Sequence, residues 1–182
     1  MALPIVQTGH PVLRTVAQLL TREQILSVEI QSLIEEMRET MRAAPGVGLA
    51  APQVGQSIQV VVIEDDAGLK TNMSQEALDA RERVPVPFHV LVNPVLEAQG
   101  DEIIDFFEGC LSVNGYAALT PRHRTVKVTA LNEFGEEFTT NASGWYARIL
   151  QHEVDHLNGL LYIDRMKTTS FTTMSNKVQY WD

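Results

Sequence analysis

The side chains best suited to chemistry stand together near the C-terminus, in Gln151-His152-Glu153-Val154-Asp155-His156. On a helix this spacing puts His152 and His156 one turn apart on one face, where both imidazoles reach a single metal ion. Glu153 is displaced around the helix, so its carboxylate is free to act on a metal-bound water without ligating the metal. Metal-activated hydrolysis is the first chemistry to consider. A pair of buried, neutral histidines is the alternative, and each would need its own hydrogen-bond partner.

A hydrolytic site of this kind takes a third ligand, and the usual downstream positions do not supply one. Glu153 is the last glutamate of the chain. In the longer pattern H-E-x-x-H-x-x-G-x-x-H, Gly159 matches but Tyr162 stands where the third histidine belongs. His10, His89 and His123 lie upstream in loop-like or strand-edge positions. Cys110, the only cysteine, can fill the vacancy from within Phe106-Phe107-Glu108-Gly109-Cys110-Leu111-Ser112. A thiolate is a strong donor, although a lone cysteine also serves as a small core residue. Gly109 would let the backbone come close to a metal or substrate. A third string, Gly46-Val47-Gly48-Leu49-Ala50-Ala51-Pro52-Gln53-Val54-Gly55, suits close backbone approach to a ligand, or a tight helix-to-strand connection. Within it, Gln53 is a neutral donor able to polarise a carbonyl without competing for the metal.

These groups need a frame. Trp145, Ile149, His152 and His156 fall on one stripe of the motif helix, so the histidines face the core. Asn141-Ala142-Ser143-Gly144 supplies capping residues before that helix, and Asn158-Gly159 its stop. Upstream, apolar residues at Ile25, Val28, Leu33, Ile34, Met37 and Met41 predict a helix over Glu23–Arg42, closed by Pro45-Gly46. The β-branched run Gln59–Ile63 predicts a buried strand. Further strand signals come at Val90–Val92, Ile103-Ile104 and Thr125–Thr129, with a hairpin turn at Asn132–Glu136. The polar stretch Asp65–Pro87 reads as a surface insertion. The expected fold is α+β: antiparallel or mixed sheets wrapped around a central C-terminal metal-binding helix, with an N-terminal helix, as one domain over 1–182.

The chain has 182 residues and a formal net charge of −9, which argues against a nucleic-acid surface. Its one basic cluster, Arg122-His123-Arg124, reads as a solvated turn with a structural ion pair. No apolar run approaches the roughly 18 residues of a membrane span. The N-terminus carries neither a basic n-region nor a transit-peptide signature. A single cysteine fits a reducing compartment. The expected location is the cytoplasm, or an organelle for a mature form with its transit peptide removed.

Taken together, Gly46–Gln53, Glu108–Ser112 and Gln151–His156 resemble the three signature motifs of peptide deformylase, in order and in spacing. Asn114-Gly115-Tyr116 and Ala142-Ser143-Gly144-Trp145 are similar to the organellar-type branch. The resemblance implies hydrolysis of the N-formyl group from the formyl-methionine of nascent polypeptides, at the ribosome, without a specific nucleic-acid sequence or a membrane. It implies one divalent metal, natively Fe(II) and replaceable by Zn, Ni or Co, held by Cys110, His152 and His156. It also implies Glu153 as general acid/base, and oxyanion contacts from Gln53 and the Leu111 N–H. Gly46, Val47 and Gly48 would line the substrate, with Ile149 and Leu150 walling a methionine pocket. Glu108 and Asp155 read as supporting carboxylates, one of them pairing with Arg122. Two rivals remain: a metalloprotease cleaving internal bonds, which lacks its downstream ligand, and a non-catalytic binding relative, which would not need Glu153.

Overall fold

The computed structural model describes residues 2–44, 46–67 and 73–181. Strands β1 (Gly48–Ala50), β2 (Val60–Asp65), β3 (Val86–Ala98), β4 (Ile103–Cys110), β5 (Val113–His123), β6 (Thr125–Leu131), β7 (Glu137–Ser143) and β8 (Thr172–Thr173) form two sheets. The first is five-stranded in the order β1-β2-β3-β6-β7, and the second three-stranded in the order β4-β5-β8. Every strand pairing in both is antiparallel. The helices are α1 (Arg22–Ile25), α2 (Val28–Ala43), α3 (Gln75–Ala80), α4 (Gly144–Leu157) and α5 (Met174–Tyr180). This is the expected α+β arrangement, with the histidine-bearing α4 at its centre.

Strand β2 shows why its sequence is apolar without alternation. Val61 and Ile63 pack against Leu150 and Leu157 of α4. Val60 and Val62 face the opposite way, against Ile30, Ile34, Met37 and Met41 of α2. A strand covered on both faces buries successive side chains, each worth about 1.5–3 kcal/mol. The sheet is thus clamped between α2 and α4. The α4 side chains Arg148 and His152 reach across to β4 of the second sheet.

Several local expectations are corrected. The helix over Glu23–Arg42 is two helices, because Thr21 with Gln24 forms one capping box and the Ser27 hydroxyl accepts from Ile30 N to start the second. Val28, in the first turn of α2, is 87 % exposed and not part of the core. Pro45, read as the helix stop, lies outside the described residues; Gly46 N donates to Met41 O at 3.0 Å. Asp65–Pro87 is only partly a surface insertion. Helix α3 has no buried residue, but Asp65 and Val86 at its flanks are buried strand residues, and 68–72 lie outside the described residues. The hairpin turn is as expected, with the Asn132 carboxamide oxygen accepting from Phe134 N and Glu136 N.

The motif helix ends as its sequence implies, at Asn158 and a left-handed Gly159. Its start differs. Ser143 makes no side-chain capping bond. Instead Gly144 N donates to Arg124 O and Trp145 N to Arg81 O, so carbonyls from elsewhere satisfy the orphan amides. Gly144 has φ +59°, and a Cβ there would meet Glu82 Cβ at 2.5 Å.

Candidate active site

Three elements converge on one point. Hairpin β4–β5 brings Cys110, which sits at a register shift between Gly109 and Cys110 at the strand end. Helix α4 brings His152, Glu153 and His156. A 3-10 turn over Ala51–Val54, entered from β1, brings Gln53. The Cys110 sulfur and one ring nitrogen of each histidine all lie within 4.8 Å of one another, the spacing of donors around one ion. Cys110 Sγ is 3.3 Å from His156 Nε2. Two N–H groups also point at the sulfur, from Ser112 N at 3.4 Å and Gln53 Nε2 at 3.5 Å.

Orientation of the imidazoles is fixed from behind. His152 Nδ1 is 2.9 Å from a Glu108 oxygen, which can only accept, so Nδ1 carries a proton and Nε2 is the ring nitrogen left for a metal. Glu108 is itself held by Nε and Nη2 of Arg122, at 2.9 and 3.0 Å, and by Arg148 at 2.6 Å. Burial would raise the Glu108 carboxyl, but its bonds to His152 and Arg122 outweigh that and hold it well below the usual carboxylate range. Arg122 also donates to Asp155 on α4, which Arg165 grips at 2.6 and 2.7 Å. The expected Arg122 pairing therefore forms, whereas the reading of Arg122-His123-Arg124 as a solvated turn is wrong. Arg122 is 4 % exposed and lies within β5, its charge neutralised by carboxylates from two other elements. Removing the Arg122 guanidinium leaves Glu108 to Arg148 and His152, and Asp155 to Arg165, and cuts the link between the two carboxylates, so Arg122→Ala should weaken metal affinity by about 10–100-fold. Normal metal content after dialysis would refute this.

Burial also lowers His156 well below its ordinary value, with the charges of His152 and Arg122 acting the same way, which leaves a neutral imidazole. For His152, burial opposes protonation, but bonds to Cys110 and Glu108 outweigh it and raise the ring well above its usual value. A cation bound at Nε2 competes with that proton. Burial pushes the Glu153 carboxyl up to about 7, near the operating range of a general acid/base, and its Oε2 has no partner among the described residues.

Gln53 is oriented by its own backbone turn. Ala50 N donates to Gln53 Oε1 at 2.9 Å, so the amide NH2 faces Cys110 and the Ser112 hydroxyl at 3.3 Å. The N-terminal segment braces this corner. Val6 N donates to Gln53 O at 2.9 Å, Thr8 N to Ser112 O at 2.7 Å and Gln7 Nε2 to Leu111 O at 2.9 Å. Beside these groups opens a cavity of about 410 Å³, lined on one side by Gly46, Val47 and Gly48 and on the others by Phe107, Trp145 and Ile149.

The glycines serve different ends. A Cβ on Gly48 would stand 2.4 Å from Glu153 Oε1 and 2.7 Å from its Cδ, so Gly48 makes room for the carboxylate as well as lining the cavity. A Cβ on Gly46 would meet Leu111 Cδ1 at 2.9 Å. Gly109 was expected to permit close approach, yet a Cβ there meets only Tyr116 O at 3.6 Å, an ordinary contact. Leu150 is fully buried between α4 and the first sheet and does not line the cavity; Ile149 does. Because the obstructing atoms at Gly48 are the far end of a flexible side chain, Gly48→Ala should fold and bind metal while losing turnover by about 10²-fold through a displaced carboxylate. Turnover within twofold of the parent would refute that, with metal content and thermal unfolding as controls.

Two arginines, Arg148 buried and Arg83 half-buried, escaped the sequence reading. Arg148, four residues before His152, donates to Glu108, Thr120 O and Ile104 O. A cation on an otherwise apolar helical stripe was the available signal. Arg83 lines the cavity, is held by Asp65 at 2.8 and 2.9 Å and lies 5.5 Å from the Trp145 ring. Nothing local in its sequence marks it.

A half-buried sulfur, two imidazoles and a buried carboxylate converging beside a cavity, on an antiparallel α+β frame, define the class of mononuclear metallohydrolases. The family model for polypeptide deformylase matches residues 2–171, and the chain belongs to that family. Among its relatives, peptide deformylase 1A, chloroplastic, of Solanum lycopersicum is 46 % identical over 172 residues, covering 94 % of this chain and 62 % of its own length. Peptide deformylase 1 of Streptomyces coelicolor is 46 % identical over 179 residues, covering 98 % of this chain and 80 % of its own. The chain thus spans less than two thirds of the plant relative. Among solved structures, the Met-Ala-Ser-bound class I type b peptide deformylase of Acinetobacter baumannii superposes with a TM-score of 0.80 at 33 % identity, over 91 % of this chain and 99 % of that one.

Proposed function

We propose that this chain hydrolyses the N-formyl group of N-terminal formyl-methionine on nascent polypeptides, releasing formate and a free amine. The observation that carries the reading is the buried Glu153 carboxylate set beside the Cys110, His152 and His156 donors, in a chain of the deformylase family. The donor set fits one divalent cation: one soft sulfur, one neutral imidazole and one imidazole aimed by a carboxylate. When bound, the cation supplies Lewis acidity for water and for the formyl oxygen. We infer Fe(II) as that cation from the family resemblance, with Zn, Ni or Co as substitutes.

The remaining steps belong to the chain's own groups. Glu153 takes a proton from the attacking water and delivers it to the amide nitrogen as the C–N bond breaks. Oxygen from water and the formyl carbon leave as formic acid, the amine keeps the proton carried by Glu153, and the acid's remaining proton passes to solvent or to the amine to leave formate. The Gln53 NH2 and the Leu111 N–H donate to the oxygen on which negative charge develops. The Gln53 amide is already turned inward by Ala50 N. Gly46 and Val47 form the wall along the substrate backbone, and Ile149 lies where an apolar methionine side chain enters.

The substrate is a nascent chain met at the ribosome, in the cytoplasm or in an organelle. Among the described residues no helix is long and apolar enough to cross a membrane. The test is formate release from formyl-Met-Ala-Ser by anaerobically prepared protein, with metal content measured on the same sample. Absence of formate from metal-loaded protein would overturn the reading. Cleavage of a blocked, internally scissile peptide would favour the protease rival. Full activity persisting for days in air with iron bound would overturn the iron assignment.

A further inference from the structure

The residues that line the cavity and are also exposed are Gly109, Asn114, Gly115, Tyr116 and Met174. All belong to the β4–β5 hairpin or to α5, so the cavity opens on that side. Met174 is the one that lies past residue 171, where the family match ends. The segment carrying it is firmly seated. Strand β8 pairs with β5 through Tyr116↔Thr173 and Ala117↔Thr172, and the Thr173 hydroxyl accepts from Asn176 N to start α5. Trp181 meets Phe107 edge-on at 5.2 Å, and Lys177 Nζ lies 5.3 Å from the same ring. Phe171 stacks on Tyr116 with centroids 5.1 Å apart and planes 7° from parallel.

The result is a surface of rings and one thioether that begins inside the cavity at Phe107 and continues outward over Tyr116, Met174, Phe171 and Trp181. The last four remain 43–49 % exposed. Contiguous exposed apolar surface marks a contact site, and aromatic faces with a thioether adapt to varied apolar side chains. Among the described residues, no carboxylate stands in the exposed part of the lining.

We propose that the segment Thr172–Trp181 is a substrate-binding element, taking the second and third residues of the formyl peptide and favouring apolar side chains there. This rests on the deformylase reading: a peptide whose formyl end lies at Glu153 leaves through the mouth, and its next side chains meet Tyr116 and Met174. The occupant is therefore the substrate's own downstream chain.

Two measurements separate this proposal from the reading beneath it. The first is the ratio of kcat/KM for formyl-Met-Leu-Phe to that for formyl-Met-Gly-Gly. In the parent chain the ratio should exceed one, and in Met174→Ala and, separately, Phe171→Ala it should fall by about fivefold through KM. A ratio unchanged within twofold in both variants, including equal losses on both peptides, overturns the proposal. The second needs no turnover: the product Met-Leu-Phe should shift the indole N–H resonance of Trp181, assigned with Trp181→Phe, and Met-Gly-Gly should not. If the metal-loaded parent releases no formate yet Trp181 responds to Met-Leu-Phe alone, the surface stands and the deformylase reading falls. Equal response to both peptides, or none, overturns the surface. A concentration-dependent shift without peptide assigns the face to a second copy of the chain and also overturns it.

Discussion

Glu153→Gln should keep its full complement of metal and turn over formyl-Met-Ala-Ser about 10²–10⁴-fold more slowly than the parent, the range lost with a general acid/base. The substitution is nearly isosteric, which matters here because Gly48 leaves room for this side chain and little more. Cys110, His152 and His156 are untouched, so metal content separates loss of chemistry from loss of the site. The loss should appear in kcat, since a proton moved only during reaction adds nothing to ground-state binding. Oε2 of Glu153 has no partner among the described residues, so the amide introduced at this position breaks no side-chain bond with them. Near-normal kcat in the metal-loaded variant would assign the proton transfers elsewhere.

What the sequence made legible follows from where the determining physics is local. Two histidines one helical turn apart are fixed by helix geometry alone, so their common face was readable before any tertiary contact. The same holds for the left-handed Gly159 stop and the Asn132–Glu136 turn, each set by a few adjacent residues. Arg122 failed for the opposite reason. Its charge is buried by Glu108 and Asp155, 14 and 33 residues away, and a basic triplet looks solvated until those partners are known. The start of α4 failed likewise. Its amides are satisfied by Arg81 O and Arg124 O, so the nearby Ser143 is a capping residue by type and idle in fact. Helix periodicity ran past Leu26–Ser27 because the apolar spacing continues across the break, and two capping side chains override it. Met174 carries no chemical signature at all. Only the pairing of β8 with β5 brings it to the cavity.

Cys110→Ser should lose most of its metal, with affinity falling by at least about 100-fold and activity falling in proportion. A serine hydroxyl stays protonated where a thiol ionises, so the substitution removes an anionic donor while keeping the shape of the side chain. The surroundings are shaped to the sulfur: Ser112 N at 3.4 Å and Gln53 Nε2 at 3.5 Å both donate toward it, and a smaller oxygen on a shorter bond reaches them less well. His152 and His156 remain in place, since Glu108 and the packing of α4 hold them without Cys110. Two imidazoles retain metal only weakly, so the variant should reload at high metal concentration and lose the ion again on dialysis. Metal analysis before and after dialysis, beside formate release, reads both quantities. Full metal with lost turnover would make Cys110 a participant in the chemistry and not a ligand. Full metal with full turnover would place the reactive centre somewhere other than this convergence of β4, α4 and the Gln53 turn.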